Sequence, residues 1–161
     1  MLRFNQEKLM RLSCKKMDKN FAAALYHQVG VGYEKPTALL FNTSFFSSRK
    51  SANASSRLYQ SVFSGDSPEG CHSLKSVVDH EIGHWLDFAS NFKIRYHPKI
   101  EKLYNENYDD MKYKLSGYAK RGGVREFIAE AWAEYRNNPF CRPLAKEVGN
   151  IMMSVYKRKS K

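Results

Sequence analysis

Cysteine is scarce in this sequence. There are three, Cys14, Cys71 and Cys141, widely spaced and odd in number. That pattern excludes a CxxC metal knuckle and a disulfide framework, so free thiols in a reducing compartment are expected. Long hydrophobic runs are missing too. No stretch approaches the roughly 18 apolar residues that a membrane-spanning helix needs. The opening MLRFNQEKLMRLSCKK is charged and helix-like, without the apolar core of a secretory signal. The expectation is a cytoplasmic protein, or a piece of a larger parent that is phage-associated or secreted. Acid is also in short supply: 16 Asp and Glu against 27 Lys and Arg give a net charge of +11. Such a field attracts acidic peptides, phosphate backbones or anionic surfaces. No zinc-finger spacing or RNP-like aromatic motif accompanies it. Nucleic acid is therefore a partner the charge allows without favouring, and a solubilising surface is preferred.

The 161 residues suffice for one domain with its own core, and no internal repeat divides them. Residues 5–28 read as helical, with Leu9, Leu12, Phe21, Ala24 and Leu25 at near-helical spacing. After GVGYEKP, the run TALLFN (Thr37–Asn42) reads as a strand. Thr43 to Cys71 is Ser-rich and reads as a long loop with a helical turn around Arg57–Phe63. A helix capped by Ser73 and running to about Ser90 follows, with Leu74, Val77, Val78, Ile82, Trp85 and Ala89 as its apolar stripe. A further helix is predicted after Pro98. The Gly122-Gly123 pair precedes the helix VREFIAEAWAEYRNN, and a last helix spans about Pro143–Tyr156. The expected organisation is a single domain, 1–161, with an N-terminal helical part (5–28), a core (37–138) and a C-terminal helix (143–156).

Within the Ser73 helix stands HEIGH. Residues four apart share a helix face, so His80 and His84 can aim two imidazoles at one ion. Glu81, about a hundred degrees round, flanks the same place. HExxH works in this way, with two nitrogen ligands and a carboxylate that takes a proton from water. A catalytic zinc needs a third protein ligand and an open position. Asp87 shares the histidine face, but three turns of a straight helix cannot wrap a tetrahedral ion, so it is expected as a supporting or capping acid. A metzincin third histidine is excluded, because position 90 is Ser90. His72 and His97 lie in loops without a supporting pattern. The acidic helix offers Glu126, Glu130 and Glu134 four residues apart, where like charges repel unless a cation relieves them. Glu126 is assigned as the third ligand. Glu130 is expected to hydrogen-bond a ligand imidazole, and Glu134 to be exposed.

HEIGHWLD, followed about forty residues later by SGYAKRGGVREFIAEAWAEY, resembles the gluzincin metallopeptidases of the anthrax lethal factor type. Those share an HExGHxxD helix, a tyrosine shortly before the third ligand and an E-F-x-A-E helix. The resemblance covers roughly Val77 to Tyr135. The ending NNPFCRPLAKEVGNIM is similar to metallopeptidase-like domains attached to phage head-morphogenesis proteins. The first resemblance implies an α+β zincin-like fold, mostly helical, with a small mixed β-sheet and an edge strand beside the active-site helix. It also implies a zinc endopeptidase with His80, His84 and Glu126 as ligands and Glu81 as general base. By the same likeness Tyr118 steadies the oxyanion, with Tyr113 and Tyr108 as fallbacks because two glycines lengthen the gap to Glu126. A peptide substrate would add as a strand along Leu39, Leu40, Phe41 and Asn42. The competing expectations are a catalytically weak zincin-like module of a phage head or toxin assembly, and a nucleic-acid-binding helical domain. The chain is expected to be a monomer or a domain of a larger protein, with no membrane partner.

Overall fold

The computed structural model describes residues 21–28, 34–42 and 51–157. Two antiparallel strands come first, β1 (Ala22–Gln28) and β2 (Glu34–Phe41), in register Ala22 to Phe41 and Ala24 to Leu39, with an irregularity at Leu25/Tyr26. Among the described residues six helices follow: α1 (Ser51–Phe63), α2 (Leu74–Ala89), α3 (Pro98–Glu106), α4 (Met111–Lys114), α5 (Gly117–Asn137) and α6 (Pro143–Lys157). The architecture is α+β in coarse terms, mostly helical with one small sheet. Among the described residues that sheet is two-stranded and antiparallel, not mixed.

Three expectations need correction. The segment Ala22–Gln28, placed in an N-terminal helix by its alanines and leucine, is a strand. Pairing with β2 outweighs local propensity there; in the sequence, Gly30 and Gly32 between the two apolar runs are a hairpin signal. Residues 5–20 of the expected helix, including Cys14, lie outside the described residues. The second correction is in the Ser-rich segment, which carries a 13-residue helix, α1, rather than one turn. Its Ala54 and Leu58, one turn apart, are buried. Third, the six stripe residues of α2 are only half-buried. The buried side chains of α2 are instead Ser76, Asp79, Glu81, His84, Leu86, Asp87 and Phe88, because both strands pack on it from one side and α5 from another.

The N-terminus of α2 is fixed by a capping box: Ser73 accepts from Ser76 N, and Ser76 Oγ accepts from Ser73 N, both at 3.3 Å. Such a cap contributes about 1 kcal/mol. The main core lies between α5 and α6 with α3, α4 and the end of α2, around Ile94, Ile100, Met111, Phe127, Val148 and Met152, each fully enclosed. Side chains of this size contribute about 1.5–3 kcal/mol each on burial.

Two local features set how α5 meets its neighbours. Gly83, the fourth residue of HEIGH, lets the helices approach closely: a Cβ there would fall 2.9 Å from Ala129 Cα and 3.2 Å from Trp132 Cβ. Gly123 breaks α5 near its start, at φ 76° and ψ −172°, a conformation that side-chain-bearing residues avoid. The ligand-bearing turn therefore begins anew after the break.

Glu134, expected at the surface, is completely buried. Its carboxylate accepts from Arg142 N (2.8 Å), Nε (3.0 Å) and Nη2 (2.6 Å). The same guanidinium donates to the carbonyls of Tyr113, at 2.9 Å, and Leu115. One arginine thus ties α5, the start of α6 and the segment before α5 together. Replacing Arg142 with Ala strands a buried carboxylate, and a loss of about 3–5 kcal/mol in urea denaturation is expected. Gly83→Ala forces the two helices apart and should cost about 1–3 kcal/mol in the same measurement.

Candidate metal centre

Helix α2 brings His80 and His84 onto the side that faces α5, and the stretch after Gly123 brings Glu126 opposite them. Glu126 Oε2 lies 3.3 Å from His80 Nε2 and 3.2 Å from His84 Nε2. Among the described residues these three form the group of side chains that could hold a metal ion, with all ligand atoms within 4.8 Å of one another. Glu126 Oε2 is buried, yet it makes no hydrogen bond to either imidazole. Two nitrogens and one oxygen thus converge on a shared point, as expected of donor atoms arranged around an ion. The set fits a divalent metal that accepts imidazole and carboxylate.

His80 is held from behind. Its Nδ1 lies 2.7 Å from Glu130 Oε1, and Glu130 Oε2 accepts from Ser116 Oγ at 2.8 Å. Ser116 is the N-cap of α5, and its Oγ accepts from Ala119 N at 3.0 Å. The sequence reading missed Ser116, although Ser before the helical GYAK is an N-cap signal.

Electrostatics separate the two histidines. Burial alone lowers both pKa values. At His80 it is outweighed by the carboxylates of Glu126, Glu130 and Glu81, which raise the value to about 10. At His84 burial prevails, aided by the charge of His80, and the value falls to about 4. Burial works against ionisation of Glu126, but the two imidazoles overcome it and hold the carboxyl well below the usual range.

A cleft of about 380 Å³ opens beside this group. Its lining includes His80, Glu81, Glu130 and Tyr118, with Leu58 and Ser61 of α1, Ala22 of β1 and Phe21 just before it. Glu81 is buried in this wall. The Tyr118 ring stands 6.2 Å from that of His80, centroid to centroid. Burial, then the negative charges of Glu126, Glu130 and Glu81, push its phenol up to about 12, which keeps it a proton donor. The turn after α1 anchors this tyrosine: Gly65 O accepts from Gly117 N (2.7 Å) and Asp66 O from Tyr118 N (3.1 Å). The fallback tyrosines stand elsewhere. Tyr113 is 78% exposed, and Tyr108 packs edge-on against Tyr104 under the Lys120 ammonium.

Other expected residues are placed differently. Asp87 is not brought to the imidazoles; its oxygens accept from Arg95 N (2.9 Å) and Nε (2.6 Å), which fixes the turn after α2. Leu39, Leu40, Phe41 and Asn42 do not line the cleft, and the sheet reaches it through Phe21 and Ala22. His72 stacks on Tyr59, and His97 caps α3. Cys71 also lines the cleft, as a free thiol whose pKa is raised by burial and then by Glu130, Glu134 and Asp79.

No protein-family model matches the chain, and no curated protein or solved structure matches it significantly. Protein purified without added metal should carry about one divalent ion per chain. Elemental analysis should show that ion lost in His84→Ala and Glu126→Ala while circular dichroism stays unchanged. A wild type devoid of metal that also refuses added zinc would reject the site.

Proposed function

We propose that this protein is a zinc-dependent endopeptidase of zincin-like architecture. The observation that supports the reading is the convergence of two Nε2 atoms and one carboxylate oxygen within 4.8 Å, next to a cleft that Glu81 lines. His80, His84 and Glu126 would hold the ion, and three protein donors leave a position open for chemistry. When bound, zinc supplies Lewis acidity, which makes a water more acidic and polarises a carbonyl.

The remaining steps belong to side chains. Glu81 takes the proton from the attacking water and later delivers it to the leaving amine. Its buried position limits competing solvent and strengthens the electrostatic coupling between base and substrate. Tyr118 donates its phenolic hydrogen to the oxyanion that develops on the scissile carbonyl. The raised phenol pKa supports that role, since a phenolate has no hydrogen to donate. An extended peptide entering the cleft meets the sheet at Phe21 and Ala22. Strand addition would then take place along β1 near Ala22, whose register partner on β2 is Phe41.

The competing reading is a metal-stabilised interaction module whose basic surface contacts acidic partners or nucleic acid. Glu81 distinguishes the two, because a purely structural ion needs no base beside it. In a peptide-library assay, Glu81→Gln should lower turnover by about 100-fold or more while metal content stays at the wild-type level. Turnover unaffected by the substitution would remove the general-base assignment.

A further inference from the structure

Ser116 is fully buried and makes two hydrogen bonds of opposite sense. Its Oγ accepts from Ala119 N at 3.0 Å, and its hydrogen goes to Glu130 Oε2 at 2.8 Å. The other oxygen of the same carboxylate faces His80 Nδ1 at 2.7 Å. The Ala119 amide can only donate, so the serine hydrogen is directed to the carboxylate. The carboxylate then presents its second oxygen to Nδ1–H. With Nδ1 protonated, the lone pair of a neutral His80 resides on Nε2, the atom beside Glu126 and His84.

We propose that Ser116 is a positioning residue for the metal centre: through Glu130 it fixes the tautomer and ring plane of His80, and by capping α5 it keeps Tyr118 in register with that ring. The inference rests on the zinc-centre reading above. Tyr118 is the second residue after this cap, and its own amide is held by Asp66 O at 3.1 Å. One hydroxyl therefore orders both the ligand and the expected oxyanion donor. A serine acting only as a helix cap would need no carboxylate partner, and a buried Glu130 acting only on His80 would leave one oxygen unsatisfied.

Zinc affinity of the full chain, measured by competition with a chromophoric chelator, separates the two roles. Glycine is tolerated at an N-cap with little loss of stability, so Ser116→Gly leaves the helix nearly as stable while it deletes the hydroxyl that donates to Glu130. It should weaken zinc binding by about 10-fold, whereas Ser116→Thr, which keeps the hydroxyl, should remain within about 2-fold of wild type. Glu130→Gln should also weaken binding, and adding Ser116→Gly to it should cause no further loss, because both act on one path. Wild-type affinity in Ser116→Gly, or losses that multiply in the double variant, would overturn the proposal. Imidazole nitrogen NMR of the zinc-loaded wild type requires no variant and should show His80 protonated at Nδ1; an unprotonated Nδ1 would also overturn it. If the wild type binds no zinc, the metal-centre reading falls and this inference with it. If it binds zinc and Ser116→Gly matches it, this inference alone fails.

Discussion

Three carboxylates along one face of α5 are buried or nearly so, and the rest of the molecule is arranged to accommodate them. Each buried charge carries a desolvation penalty of several kcal/mol unless it meets a partner of opposite sign with hydrogen bonds. Glu126 faces two imidazoles, Glu130 takes a hydrogen from Ser116 and faces His80, and Glu134 is enclosed by Arg142. These partners come from α2, from the α5 cap and from the start of α6. Satisfying the acids therefore fixes how the three helices stand relative to one another. The like-charge repulsion that would destabilise such a stripe in an isolated helix becomes a device for specifying the fold.

That arrangement requires α2 to lie unusually close to α5. Gly83 makes the approach possible, and the residue belongs to the same five-residue motif that carries both histidines. The motif thus contributes a backbone contact as well as donor atoms. On the far side, the break at Gly123 separates the turn bearing Tyr118 from the turn bearing Glu126. The longer spacing between those residues is absorbed there without displacing the carboxylate from the imidazoles.

The central cluster was legible in the sequence because its logic is local. Four-residue spacing places His80 with His84 and Glu126 with Glu130, and the Ser73 cap marks where α2 begins. The unfavourable repetition of acids suggested that a cation had to be near. What could not be read was non-local. Glu134 looked exposed because its partner, Arg142, stands beyond Pro139, where helical periodicity no longer applies. The strand Ala22–Gln28 is rich in helix-forming alanine, and it is extended because it pairs with β2. Serine content hid α1, whose buried face consists of little more than Ala54 and Leu58. The sequence placed the peptide along β2, whereas Phe21 and Ala22 line the cleft; which strand faces it depends on how the two strands pack on α2.

Cys71 sits in the wall of the same cleft as His80 and Glu81, where a thiolate would be a strong competing donor to any ion held there. Burial and three neighbouring acids hold it in the neutral form, so it behaves there as a small apolar surface. A neutral thiol is a poor metal ligand and a poor nucleophile, so an ion held by His80, His84 and Glu126 would keep nitrogen and oxygen donors alone and with them more of its electron-withdrawing power than one neutralised by thiolates.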